Sequence, residues 1–213
     1  MGDQPFSVPG VRAKNALRKG ALLVSACIGK VDRMSSISGW THKMPVDNCH
    51  HDFDALAAKV LPGYLKQLQA AIDKPHKAAE FAKPGVGPVA IAKTLGHEAD
   101  FSGCYVLLEK SAPIYVGISR SVLSRIRQHV TGKSHFDASL VYAVAQRRFP
   151  TKGKRGQVME DAGFRGEFEK AQQYLRGLSV AFIEIENPLE LYVFEAYAAM
   201  ALDTAEWNTF RTH

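Results

Sequence analysis

Between Gly103 and His129 the hydrophobic period of the chain changes once, abruptly, and that change restricts the folds open to it. Cys104 to Leu108 and Ile114 to Ser119 are short runs rich in β-branched, aromatic and aliphatic residues, joined by a turn containing Pro113, and they read as two strands of a hairpin. From Val122 to Val130 the apolar residues Leu123, Ile126 and Val130 recur at helical spacing. A helix therefore follows the second strand at once. On its flank Arg125 and His129, four residues apart, set a cation beside a titratable base where the helix meets the sheet.

Downstream, Phe136 to Phe149 reads as a second helix and Thr151 to Gly156 as a glycine- and lysine-rich loop. Glu167 to Arg176 forms an amphipathic helix through Phe168, Ala171 and Leu175. Val180 to Ile185 reads as a third strand. Asn187-Pro188-Leu189-Glu190 places a capping side chain, a proline at the first helical position and a glutamate at the third, so a helix starts there and runs to about Leu202. From Leu191 to Leu202 its only charge is Glu195. A carboxylate on so apolar a helix takes up a proton or costs several kcal/mol unless a cation lies near, and Arg125 or a divalent metal could supply one.

Before Gly103 the signals are weaker. Ala21 to Ile28 reads as a buried strand; the run is too short and too polar for a signal core, although Val24 to Cys27 has the look of a lipoprotein cleavage box. Ser35 to Gly39 is a loop. Leu56, Val60, Tyr64, Leu68 and Ile72 make one apolar helical stripe capped by Asp52, with a kink or break expected at Pro62-Gly63. Lys74 to Phe81 suggests a further short helix, and Lys83 to Pro88 is a strong breaker. Cys49-His50-His51-Asp52, with His42 upstream, contains zinc-ligand types, but adjacent residues seldom converge on one ion, so a polar loop is expected. The expected division is a mainly helical region over residues 1–98 and a second domain over 99–213.

Charge narrows the partner. Residues 120–155 hold nine Lys and Arg (Arg120, Arg125, Arg127, Lys133, Arg147, Arg148, Lys152, Lys154 and Arg155) against Asp137 alone, more than the whole chain's net charge of +6. A local excess of this size suits a polyanion, and no apolar run approaches the ~20 residues of a membrane span. Three cysteines without a Cys-x-x-Cys pair argue against a disulfide framework and for a reducing cytoplasm.

Gly103-Cys104-Tyr105, Tyr115-Val116-Gly117, an arginine eight residues after that glycine, a glutamate on a late helix and an asparagine thirteen residues beyond it together resemble the GIY-YIG nuclease superfamily. The likeness spans roughly Phe101 to Asn208. It implies an α+β fold with a small three-stranded antiparallel sheet flanked by helices, and a divalent-metal-dependent endonuclease that hydrolyses DNA to a 5′-phosphate and a 3′-hydroxyl.

Carried over by position, Glu195 resembles the ligand for Mg²⁺ or Mn²⁺, and Arg125 the cation on the scissile phosphate. Tyr105 and Tyr115 resemble the tyrosines lining the site, with Tyr105 or His129 as acceptor of the water's proton, and Asn208 resembles the asparagine that orients it. Cys104 and Val116 stand where the family motif has isoleucine, a change confined to strand packing. Ile118 stands where many members carry a lysine or another polar group. The long insertion with Arg147, Arg148, Lys152, Lys154 and Arg155 would track phosphates, with Arg120, Arg127 and Lys133. A second reading keeps the fold without turnover, as a nucleic-acid-binding protein with Arg125 as phosphate anchor; RNA or an acidic protein would also suit the charge.

Overall fold

The strand Gly103–Glu109 is an inner strand of the sheet, paired along both edges and covered on both faces. In the computed structural model, which describes residues 45–210, its residues from Gly103 to Leu108 are all buried. In chain order, α1 (Phe53–Ala55) passes through a π-helical turn (Leu56–Val60) into α2 (Leu61–Ile72); β1 (His76–Lys77), a 3-10 turn (Ala78–Ala82) and α3 (Pro88–Thr94) follow. The hairpin β2 (Gly103–Glu109) and β3 (Ala112–Ser119) leads into α4 (Val122–Thr131), α5 (Ser139–Arg148), α6 (Arg155–Val158) and α7 (Ala162–Arg176). β4 (Ser179–Glu184) and α8 (Pro188–Ala201) complete the fold. The strand expected over 21–28, the loop at 35–39 and His42 lie outside the described residues.

The α+β class is as expected, but the sheet has four antiparallel strands in the order β1-β4-β2-β3, not three. The addition is β1, where a helix from Lys74 to Phe81 was expected. Pro75 cannot donate within a helix, and His76 and Lys77 instead pair with Val180 and Ser179. The His76 ring stacks on Phe182 at 5.2 Å. The sheet therefore takes in chain from both sides of residue 98, where a domain boundary was expected.

One turn differs from expectation, and the irregularity expected at Pro62 takes the form of a π-helical turn. The hairpin loop is Lys110-Ser111, both at positive φ, as a two-residue hairpin turn demands, and Pro113 lies within β3 opposite Leu108. At Pro62 the helix does not break. The π-helical turn just before it supplies the local slack that a proline, lacking its N–H, needs. Asp52 caps α1 as expected, accepting from the Ala55 N–H at 2.7 Å.

Strand alternation divides the core between the two faces of the sheet. Tyr105, Leu107 and Val180 pack with α4, α5 and α7. Cys104, Val106, Leu108, Val116, Ala181 and Ile183 pack with α2 and α8. Cys104 and Val116 are thus wholly buried beneath α8. Gly103 is required by close approach: a Cβ there would collide with the Ile183 carbonyl oxygen of β4. Gly63, by contrast, sits on α2 with nothing within 4 Å of where a Cβ would lie. Gly103→Ala is therefore expected to cost about 1–3 kcal/mol by forcing β2 from β4, whereas Gly63→Ala gains about 0.5–1 kcal/mol through helix propensity. Urea denaturation of the two variants reads these opposite signs.

Candidate active site

Among the described residues β3 is an edge strand, and its outer edge carries the site. After α8 the chain turns back at Thr204, whose carbonyl accepts the Asn208 N–H at 3.0 Å. The Asn208 side chain then acts as a substitute peptide for the missing neighbouring strand. Its Oδ1 accepts the Val116 N–H at 2.9 Å and its Nδ2 donates to the Val116 carbonyl at 2.7 Å.

Behind that edge, Tyr105 lies across the sheet onto Gly117, its cross-strand partner. A Cβ at Gly117 would fall 2.5 Å from the Tyr105 hydroxyl oxygen. The open space lets the phenol reach α4, where its hydroxyl sits 2.7 Å from His129 Nε2. Both residues are about 1% exposed. His129 Nδ1 is buried without a hydrogen-bond partner among the described residues. Protonation would add a second ring N–H with no acceptor, in a site already desolvated and close to Arg125; burial first and Arg125 second push the His129 pKa down to about 3. The imidazole is neutral. Burial likewise raises Tyr105, with Tyr115 adding and Arg125 opposing. Tyr115 is raised by burial and by the Glu195 charge, again against Arg125. Both phenols are protonated at neutral pH.

Arg125 is held across the α4–α5 junction. Its Nη1 donates to the Asp137 carbonyl at 2.9 Å and to Gln128 Oε1 at 3.3 Å, and its Nη2 to Ser139 Oγ at 2.8 Å. It is not the salt-bridge partner of Glu195. Among the described residues no ion pair reaches Glu195, and its pKa is raised by burial alone. Tyr115, Ser139, Glu195, Trp207 and Asn208 line one open cleft of about 270 Å³. Tyr115, Glu195 and Asn208 thus share the cleft at the β3 edge, Arg125 adjoins it through Ser139, and Tyr105 and His129 lie behind it. A single carboxylate in a polar cleft suits Mg²⁺ or Mn²⁺, which take one or two carboxylates and complete their shells with substrate phosphate and water.

The basic residues are held in several different local settings. Arg127 is turned inward, donating to the Phe81 carbonyl at 2.7 Å. Arg147 pairs with Glu206 at 2.9 Å and stacks over Trp207, fixing the segment that carries Asn208. Arg148 and Arg155 lie over Tyr174 and Tyr142. Lys152 and Lys154 are exposed in the loop before α6, and Lys133 lines a separate cleft with Arg165 and Arg176. Arg120 borders another beside Ile118 and Tyr192.

Three contributors lay beyond the sequence pattern. Asp100 accepts from the N–H groups of Leu123 and Ser124 at 2.8 and 2.9 Å and so fixes the start of α4 from more than twenty residues away. Ser139 and Trp207 carry no distinctive spacing. No family model matches the chain, and neither the curated proteins nor the solved structures searched give a match.

Two expectations follow. Stability is lost as pH falls from about 6.5 toward 3, because the unfolded chain binds a proton at His129 that the folded chain refuses. Urea titrations at pH 7 and pH 4 should show His129→Gln losing less stability over that interval than wild type, by on the order of a few kcal/mol. Asn208→Ala leaves both Val116 backbone groups without their partners and should cost about 1–3 kcal/mol in the same assay at pH 7, while Asn208→Gln does not restore it.

Proposed function

We propose that this chain is a divalent-metal-dependent endonuclease of the GIY-YIG type, hydrolysing DNA phosphodiester bonds to 5′-phosphate and 3′-hydroxyl ends. The observation that carries this reading is that Tyr115, Glu195 and Asn208 share one cleft at the β3 edge, with Arg125 joined to it through Ser139 and the Tyr105–His129 pair packed behind, although more than a hundred residues separate Tyr105 from Asn208.

Each residue has a role set by its surroundings. Glu195 would hold Mg²⁺ or Mn²⁺, whose chemistry is charge stabilisation on the phosphate oxygens. Tyr115 is the phenol that lines the cleft, so it orients the attacking water. Tyr105 and His129, being buried and neutral, stand behind it: the hydrogen bond between the Tyr105 hydroxyl and His129 Nε2 keeps that phenol aligned to take part in proton movement. Arg125 is pre-positioned by Asp137 and Ser139, so its charge needs no reorganisation when negative charge develops on the phosphate. Asn208 keeps the edge, and with it Tyr115, in place.

The same pre-positioned Arg125 would equally serve a second reading, a nucleic-acid-binding protein without turnover in which it anchors a phosphate. Nicking of supercoiled plasmid separates the two. With Mg²⁺ or Mn²⁺ the wild type should nick, and Glu195→Ala or Arg125→Ala should lose about 10²- to 10³-fold or more in rate. Tyr115→Phe should lose more than Tyr105→Phe. No cleavage with either metal, or cleavage that survives Glu195→Ala, ends the enzyme reading.

A further inference from the structure

A second group of metal-ligand side chains lies at the N-terminal end of α8, away from the cleft. Cys49, His51 and Glu190 bring Sγ, a ring nitrogen and a carboxylate oxygen within 4.8 Å of one another. Cys49 Sγ is 3.7 Å and His51 Nδ1 2.8 Å from the same oxygen, Glu190 Oε1. A tetrahedral zinc with bonds of about 2.3 Å to sulfur and 2.0 Å to oxygen and nitrogen would set sulfur about 3.5 Å and nitrogen about 3.3 Å from that oxygen, so the 3.7 Å sulfur distance fits and the 2.8 Å hydrogen bond opens by about half an ångström as the ion replaces its proton.

The surroundings favour an ion. Cys49 and Glu190 are buried, while His51 is half exposed, which gives the group a closed inner side and an entry. The other carboxylate oxygen, Oε2, accepts the Tyr64 hydroxyl at 2.6 Å. That bond turns Oε1 toward Cys49 and His51, the service an outer partner gives a metal ligand. Asp47 and Asn48, consecutive non-glycine residues at positive φ, deliver Cys49 to the group, and Asn187 Nδ2 ties the Asp47 carbonyl to the start of α8 at 3.1 Å. The loop expected at 49–52 thus does converge, through i, i+2 spacing and a carboxylate 139 residues from His51.

We propose that Cys49, His51 and Glu190 bind one zinc ion, with water in the fourth position, stapling the segment before α1 to α8. A thiolate with an imidazole selects zinc over magnesium, so this site differs in metal as well as place from the one proposed at Glu195. Binding releases the Cys49 thiol proton to solvent and leaves His51 neutral, its Nδ1 lone pair on the ion.

Cobalt titration of the full, metal-stripped chain tests this. Wild type should develop a thiolate-to-cobalt charge-transfer band at one ion per chain, abolished by added zinc. Glu195→Ala should keep the band and Cys49→Ser should lose it. Tyr64→Phe should bind about ten- to a hundredfold more weakly. Zinc should also raise the melting temperature of wild type but not of Glu190→Gln, which covers the case of a misfolded Cys49→Ser. A group held only by hydrogen bonds would give no band and no zinc-dependent melting, and either that result or a band surviving Cys49→Ser overturns the proposal. Mg²⁺-dependent nicking, measured on the same variants, stands or falls separately.

Discussion

The contact on which the site depends is the one between Tyr105 and Gly117. A phenol on the central strand can lie flat over its neighbour only where that neighbour has no side chain, and only from that position does its hydroxyl reach His129. Gly103 serves the same purpose on the opposite edge, where the β4 backbone closes against β2. Two glycines thus set how tightly β2 is gripped from both sides. With both faces also covered, Tyr105 and His129 are driven out of water, and the desolvation that keeps His129 neutral follows from the packing.

Much of this was legible in the sequence because it rests on local pattern. The hairpin, the helix with Arg125 and His129 on one flank, and the capped start at Asn187 each declare themselves within a few residues; in the structure Asn187 Oδ1 accepts from the Leu189 and Glu190 N–H groups. Glu195 was legible by isolation, as the only charge on an apolar stretch. What escaped depends on partners distant in sequence. A two-residue strand has no period of its own, and β1 exists because β4 offers an edge. Asp100 has no local sign of capping α4. Glu190 looked like a first-turn carboxylate and nothing more, since the groups that bind it, His51 and Tyr64, lie more than 120 residues away.

Of the two cations that could have faced Glu195, Arg125 does not pair with it, for a physical reason of the same kind. A guanidinium offers five donors in a rigid fork, and the chain entering α5 supplies acceptors for it: the Asp137 carbonyl just before the helix and the Ser139 hydroxyl at its start. The arginine thereby joins two helices, and Glu195 is left to face the cleft with its charge uncompensated by any described side chain. Burial raises its pKa, but it is only partly buried, so the charged form remains accessible to a cation arriving from solvent.

The two carboxylates of α8 show how position on one helix separates holding from acting. Five residues at 3.6 per turn set Glu190 and Glu195 about 140° apart, so they cannot share an environment. Glu190 is buried, yet hydrogen bonds from Tyr64 and His51 outweigh its desolvation and hold its pKa below the usual carboxylate range. Among the described residues Glu195 has no such donors, and desolvation prevails. A helix anchored through the first carboxylate is a rigid mount for the second. Rigidity is what a site needs if its charges are to be in place before the substrate arrives, because reorientation during the reaction would return to the barrier what the fixed dipoles remove from it.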